Sequence, residues 1–216
     1  MPAQPLGGAM TFGAGSLAGV ILAGGLATRM GGGDKGMREV AGKRLIDHVI
    51  DRLTPQVAGL AINANGDPAR WAGYGLPVLA DGIAGHPGPL AGILAGMGWA
   101  AEQGFDAVVS VAADTPFFPR DLVRGLCDAA GPQGVAIAAS RDQAGMVRDQ
   151  PTFGLWPVAL RHDLRAALAG GMRKVVLWAD AQAAGRAVFS GPADPFFNVN
   201  TPEDLALAEG IAGDLA

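Results

Sequence analysis

The chain has 216 residues, half of them hydrophobic and only 17% charged, with a formal net charge of −4. A chain of that size and apolarity can bury its own core as one α/β domain, which excludes a mainly disordered protein. The acidic balance argues against broad nucleic-acid binding, which needs a basic face or stripe. The single cysteine, Cys127, cannot form an internal disulfide. It lies in an apolar, helix-like run and reads as a structural thiol, which makes a reducing cytoplasm the expected compartment.

Residues 1–16 are rich in Gly, Ala and Pro, and Arg29 is the first charged residue. They lack the basic start of a signal peptide, and no stretch of about twenty apolar residues follows to cross a bilayer. We expect a flexible leader, with Met10 as an alternative start, and a single domain over 17–216; no membrane partner is expected.

The apolar run 17–23 ends in glycines and predicts a buried first strand feeding a loop. Leu45, Ile46, Val49, Ile50 and Leu53 recur at helical spacing until Pro55. Strands are predicted at 57–64 and 77–80, followed by a helix over 90–103 whose glycines weaken it. The clearest buried strand is 105–113, running into Asp114, and a helix over 119–129 follows. The later half predicts strands at 135–139 and 152–155, a helix at 158–168 and a strand at 187–190. A last helix spans 202–209, with Thr201 as its cap, Pro202 in its first turn and Asp204 three residues after the cap. This alternation implies a three-layer α/β fold around a mainly parallel sheet. Such sheets bind ligands beyond the carboxyl ends of their strands. Gly24, Gly25, Asn63, Asn65, Asp81 and Asp114 fall there.

The run 22–35, L-A-G-G-L-A-T-R-M-G-G-G-D-K, combines clustered glycines with two cations. Glycines let backbone N–H groups close around phosphate oxygens. Arg29 offers a planar fork and Lys35 a compact charge, so together they predict an anion site. Neither the P-loop nor the dinucleotide fingerprint fits the spacing. Asn63 carries donor and acceptor atoms and Asp81 is an acceptor, so both can hydrogen-bond a polar ligand. The Asp114 carboxylate suits Mg²⁺, which takes one or two carboxylates together with phosphates and waters. A helix cap is the plain alternative for Asp114, and turn chemistry is the alternative for Asp81, Asn63 and Asn65. His48, His86 and His162 have no metal-ligand spacing.

The loop L-A-G-G-x-x-x-R-M-G-G-x-D-K resembles the signature of the molybdenum cofactor guanylyltransferase family, within the Rossmann-like nucleotidyltransferase fold. The resemblance continues in order through Asn63-Ala64-Asn65, Asp81, Pro87-Gly88-Pro89-Leu90-Ala91-Gly92, Asp114-Thr115-Pro116 and Asn198-Val199-Asn200-Thr201-Pro202-Glu203. It implies that Leu22, Ala23, Gly24, Lys35, Asn63, Asp81 and Asp114 contact GTP. It places Arg29, Gly32, Arg148, Asn198 and Asn200 toward molybdopterin, although Gln150 stands where the family commonly has His. The implied reaction is Mg²⁺-dependent transfer of GMP from GTP to the terminal phosphate of molybdenum-bearing molybdopterin, with Lys35, Arg29 and Asp114 as catalytic residues and Asp114 as metal ligand. GTP and molybdenum-molybdopterin are then the substrates, and transient cofactor-delivery or acceptor proteins are expected. Three alternatives are a cytidylyltransferase, a sugar-phosphate nucleotidyltransferase and a nucleotide-binding regulatory module without chemistry. The pair of glycines after Ala23 favours the guanylyl group, because cytidylyl relatives tend to carry two alanines before one glycine.

Overall fold

The computed structural model describes residues 12–13, 15–24, 35–83, 88–191 and 193–214. The strand β1 (Leu17–Leu22) leads the chain, followed by a small antiparallel hairpin of β2 (Glu39–Val40) and β3 (Lys43–Arg44), then α1 (Leu45–Leu53). Next come β4 (Gly59–Asn63), β5 (Val78–Leu79), α2 (Pro89–Glu102), β6 (Ala107–Ala112) and α3 (Leu122–Asp128). The second half supplies β7 (Ala136–Arg141), β8 (Val147–Pro157), α4 (Arg161–Ala169), α5 (Val175–Ala181), β9 (Gly185–Phe189) and α6 (Pro202–Asp214). The strands form a seven-stranded sheet of order β5-β4-β1-β6-β8-β7-β9. No helix among the described residues is long and apolar enough to cross a membrane.

Strand alternation sorts the core into two layers, because successive side chains point to opposite faces. Leu17 and Ile21 of β1, with Val109 and Val111 of β6, pack on Ile46, Val49 and Leu53 of α1 and Leu122 and Leu126 of α3. Ala18, Val20 and Val108 face the other way, onto Leu90, Ile93 and Met97 of α2, Leu164 of α4 and Trp178 of α5. This is the three-layer, mainly parallel arrangement that the alternation of elements predicts.

The helix glycines that weakened the prediction over 90–103 have a packing reason. A Cβ on Gly96 would lie 2.9 Å from Val20 Cγ1, and one on Gly92 only 2.2 Å from Asn63 Oδ1. Backbone-to-sheet contact at these two points draws α2 onto β1 and β4, and any side chain would push it off.

β8 runs antiparallel to both β6 and β7, a direction the sequence did not reveal. The five-residue connection from Arg141 to Val147 is too short for a parallel crossover, so β7 and β8 close as a hairpin. Its turn is fastened by Asp142, whose backbone N–H donates to the Met146 carbonyl at 3.0 Å and whose Oδ1 accepts from the Met146 N–H at 2.9 Å. The β7–β8 register shifts between Ile137 and Ala138, which bulges β8 around Thr152. Buried Ser110 of β6 ties this bend down: its hydroxyl donates to the Thr152 carbonyl at 2.8 Å and accepts from Trp156 Nε1 at 2.8 Å.

Other departures from the predicted elements are local. The helix expected from 119 begins at Leu122, after Asp121. The helix expected from 158 opens as a 3₁₀ turn, Val158–Leu160, before α4. β8 extends well beyond the predicted 152–155, because hairpin pairing with β7 recruits exposed residues that carry no apolar pattern. α5 has no predicted counterpart, since its Val-Val-Leu-Trp start has strand-like composition; tertiary contact overrides it, with Trp178 packed on Trp156 and its Nε1 donating to Asp163 Oδ1 at 2.9 Å.

The expected cap of the last helix is present and reciprocal. Thr201 Oγ1 accepts from the Asp204 N–H at 3.1 Å, and Asp204 Oδ2 accepts from the backbone N–H groups of Asn200 and Thr201 at 2.9 Å each. α6 also receives the β2–β3 turn, where the Ala41 N–H donates to the Glu209 carboxylate at 3.0 Å. Val40, Leu45, Phe117, Val199 and Ala208 form a third apolar cluster beneath this junction.

Two stability outcomes follow. Ser110→Ala removes the acceptor of the buried Trp156 indole N–H and should cost about 1–3 kcal/mol in chemical denaturation. The Asp204 carboxyl is held below the usual aspartate range, chiefly by the N–H of Asn200. Its ionised form is therefore favoured by folding: the contribution is fully present above the unfolded value of about 3.9 and is lost as pH falls through the lower folded value. Asp204→Asn should flatten that acid limb when stability is measured from neutral pH downward; an unchanged slope would remove Asp204 from the account.

Candidate active site

Parallel pairing sets Leu22 beside both Asn63 and Ala112, and Asn63 beside Leu79. These four residues form one row across the end of the sheet. Two residues beyond that row on each strand lie Gly24, Asn65, Asp81 and Asp114, so strand register alone gathers residues that are far apart in sequence. Backbone bonds continue past the row and fix the exits: the Ala23 N–H donates to the Asn63 carbonyl at 2.8 Å, Ala64 to Leu79 at 3.0 Å and Ala113 to Leu22 at 3.1 Å.

A cavity of about 330 Å³ opens there. Leu22, Gly24, Asn63, Asn65, Asp81 and Asp114 line it, joined by Gly88 and Pro89 at the start of α2, by Thr152 and by Asn198. Ala23, expected against the nucleotide, is buried and does not line the cavity, its N–H being bonded to the Asn63 carbonyl. Thr152 carries no signal in the sequence; the bulge of β8 brings it in.

At one end of the cavity Asn63 is almost fully buried. Its Nδ2 donates to the Leu79 carbonyl at 3.0 Å and to Asp81 Oδ1 at 2.9 Å. Asn65 grips Asp81 from the other side, with Nδ2 donating to Oδ2 at 2.8 Å and Oδ1 accepting from the Asp81 N–H at 2.9 Å.

Asp114 forms the other end. Its side chain is 17% exposed, and Oδ2 lies 3.4 Å from Nζ of Lys35, itself 23% exposed. Lys35 also donates to Oδ1 of Asn200. The Asn200 segment is anchored to the same residue, because the Val199 N–H donates to the Asp114 carbonyl at 2.9 Å. Burial pushes the Asp114 carboxyl above the usual aspartate range, while the charge and hydrogen bond of Lys35 pull it back. Such a partly dehydrated carboxylate favours a cation, and the Lys35 ammonium occupies the space between Asp114 and Asn200. The helix-cap alternative for Asp114 fails, since Asp121 precedes α3.

The structure brings Leu22, Gly24, Lys35, Asn63, Asp81, Asp114, Asn198 and Asn200 to one edge of the sheet. Arg29 and Gly32 lie outside the described residues, as does His86. Arg148, grouped with Asn198 and Asn200 in the sequence, lines a different cavity of about 310 Å³ with Ser140, Arg141 and Asp194. The hairpin carries it there, past the end of β6. Neighbouring Gln150 donates to the Ser140 hydroxyl at 3.1 Å, and Asp149 pairs with Arg186 at 3.1 Å. His48 is structural: Nε2 sits 2.8 Å from the Val40 carbonyl, and the ring stands edge-on to Phe117. Burial pushes the half-buried Cys127 thiol up, the opposite of what a nucleophile needs. Among the described residues no cluster of three or more His, Cys, Asp or Glu could hold a metal.

Residues 19–184 match the MobA-like NTP transferase domain. A molybdenum cofactor guanylyltransferase of Rhodopseudomonas palustris (strain BisB5) is 54% identical over 201 residues, covering 89% of this chain and 92% of that protein. Among solved structures, molybdopterin-guanine dinucleotide biosynthesis protein A of Archaeoglobus fulgidus superposes with a TM-score of 0.63 at 21% identity, over 91% of this chain and 99% of that one. The 4-diphosphocytidyl-2C-methyl-D-erythritol synthase of Anaerococcus prevotii gives 0.67 at 13% identity, over 93% and 97%. At such identities the solved structures establish the fold alone, and the fold is common to proteins named for different nucleotides. The match along residues 19–184 and the half-identical, nearly full-length relative decide the family: the chain belongs to the MobA-like NTP transferases, as a member of the molybdenum cofactor guanylyltransferase family.

Proposed function

We propose that this protein transfers GMP from GTP to the terminal phosphate of molybdenum-bearing molybdopterin. A phosphate oxygen of the pterin attacks the α-phosphorus of GTP, the bond from that phosphorus to the bridging oxygen of the β-phosphate breaks, and pyrophosphate leaves with the electron pair. The products are molybdopterin guanine dinucleotide and pyrophosphate. The observation that carries this reading is the 54% identity to a guanylyltransferase over almost the whole of both chains. The cavity supports it with a nucleoside-suited end at Asn63 and Asp81 and a charge-handling end at Lys35 and Asp114.

The nucleophile belongs to the substrate, so the protein's task is to align two anions and screen their charge. Asp81 holds the nucleoside through the lone pairs its carboxylate keeps free, and Asn63 through its amide oxygen, since both of its N–H groups are committed to Leu79 and Asp81. Leu22 and Gly24 bring backbone groups against the nucleotide. Lys35 neutralises phosphate oxygens, while Asn198 and Asn200 bind the pterin substrate. Asp114 and the Asn200 amide oxygen are hard donors already gathered around a cation, the Lys35 ammonium, and one carboxylate suffices for Mg²⁺ when substrate phosphates and waters complete its shell. Asp114 would hold Mg²⁺, which when bound would supply charge neutralisation at the reacting phosphates. Substrates of this kind and the lone structural thiol fit a cytoplasmic enzyme that hands its product to transient protein partners.

Purified protein incubated with molybdenum-molybdopterin, Mg²⁺ and either GTP or CTP tests the reading. GTP should yield the dinucleotide and pyrophosphate; exclusive use of CTP, or saturable GTP binding without pyrophosphate release, would overturn it. Asp114→Asn preserves shape but removes the charge. It should lower the rate by about a hundredfold or more, with far-UV circular dichroism unchanged, and full turnover by that folded variant would remove Asp114 from the chemistry.

A further inference from the structure

We propose that Asn65 is a positioning residue for nucleoside selection, acting by clamping the Asp81 carboxylate. The inference rests on the reading of Asp81 as a nucleotide contact. Three observations carry it. Asn65 meets Asp81 at two points, through Nδ2 to Oδ2 at 2.8 Å and through Oδ1 from the Asp81 N–H at 2.9 Å. Asn63 takes the remaining oxygen, Oδ1, at 2.9 Å. Asn65 and Asp81 both line the 330 Å³ cavity.

A carboxylate on a short loop after a two-residue strand would otherwise turn freely about its side-chain bonds. Here one amide donor holds each oxygen, and the backbone bond to Asn65 Oδ1 fixes the stem. Each oxygen still has a lone-pair site beyond these bonds, since an ionised carboxylate offers about four. A carboxylate held in this way is an acceptor-only surface of fixed orientation. It complements a base edge carrying adjacent N–H donors, which guanine has in its N1–H and 2-amino groups, and binds an edge that lacks them less tightly, because the remaining lone pair of each oxygen then gains no donor. Asn63 cannot do this alone, for it is also committed to the Leu79 carbonyl and holds only one oxygen.

The test compares the unmodified chain with Asn65→Ala and Asn65→Asp, using GTP and ITP, whose base lacks the 2-amino group, in steady-state transfer, with thermal melting as the control for fold. Asn65→Ala should raise KM for GTP about tenfold, leave kcat within about twofold, narrow the preference for GTP over ITP and melt near the parent temperature. Asn65→Asp matches the shape and keeps an acceptor for the Asp81 N–H, yet sets a second negative charge against Asp81. It should be impaired at least as much as Asn65→Ala. Unchanged KM and unchanged GTP preference in Asn65→Ala would overturn the proposal, as would parental behaviour of Asn65→Asp. Equal losses on both nucleotides together with a lowered melting temperature would also overturn it, assigning Asn65 to fold support. Calorimetric binding of GTP to the same proteins separates the two readings. A chain that binds GTP in an Asn65-dependent way but transfers no GMP loses the activity and keeps this inference. Transfer that is indifferent to Asn65 does the reverse. No GTP binding at all overturns both.

Discussion

A carboxylate withdrawn from water at the end of a buried strand must be matched by positive charge. In this protein the match draws on both ends of the chain. Asp114 follows β6 in the middle of the sheet; Lys35 arrives from the glycine-rich loop after β1, and Asn200 from the segment before α6. The Val199 N–H bonded to the Asp114 carbonyl closes the arrangement from the backbone. The final helix therefore belongs to the site as much as the first strand does. The reciprocal cap at Thr201 and Asp204 and the apolar cluster of Val40, Leu45, Phe117, Val199 and Ala208 keep that distant segment in register.

Parallel strands impose the rest of the geometry. One row of paired residues aligns the strand exits, and the polar side chains two residues beyond it share a single edge. The opposite ends of the cavity then differ in kind. The Asn63–Asp81–Asn65 end is a network of amide-to-carboxylate bonds that fixes orientation, suited to a base or ribose. The Lys35–Asp114 end is a charged pair with limited water, suited to phosphates and a divalent cation. The bare flank of Gly92 on α2 leaves the room that the buried Asn63 side chain fills at the first of these ends.

Much of this was legible in the sequence for definite reasons. Buried parallel strands leave continuous apolar runs, so β1 and β6 stand out; β1 runs into a pair of glycines and β6 into Asp114, which an apolar core cannot explain. The Thr201-Pro202 start with Asp204 three residues after the cap is a local signal, since capping depends only on neighbouring backbone groups. Asn63, Asp81 and Asp114 could be singled out singly, but each had an ordinary turn or cap explanation that only their assembly at one edge removes.

What the sequence determined by itself was whatever depends on neighbours along the chain: helix periodicity, the apolar strands, the capping motif and the collinear order of motifs that marks the family. The tertiary structure alone decided what depends on partners far away in sequence. It reversed β8 through a short hairpin, turned Thr152 toward the cavity through a bulge, made a helix of the strand-like 175–181 by packing Trp178 on Trp156, and carried Arg148 into a second cavity. It also joined Lys35 to Asn200 across 165 residues. Such contacts are set by sheet register and burial, and neither is written in any local run of residues.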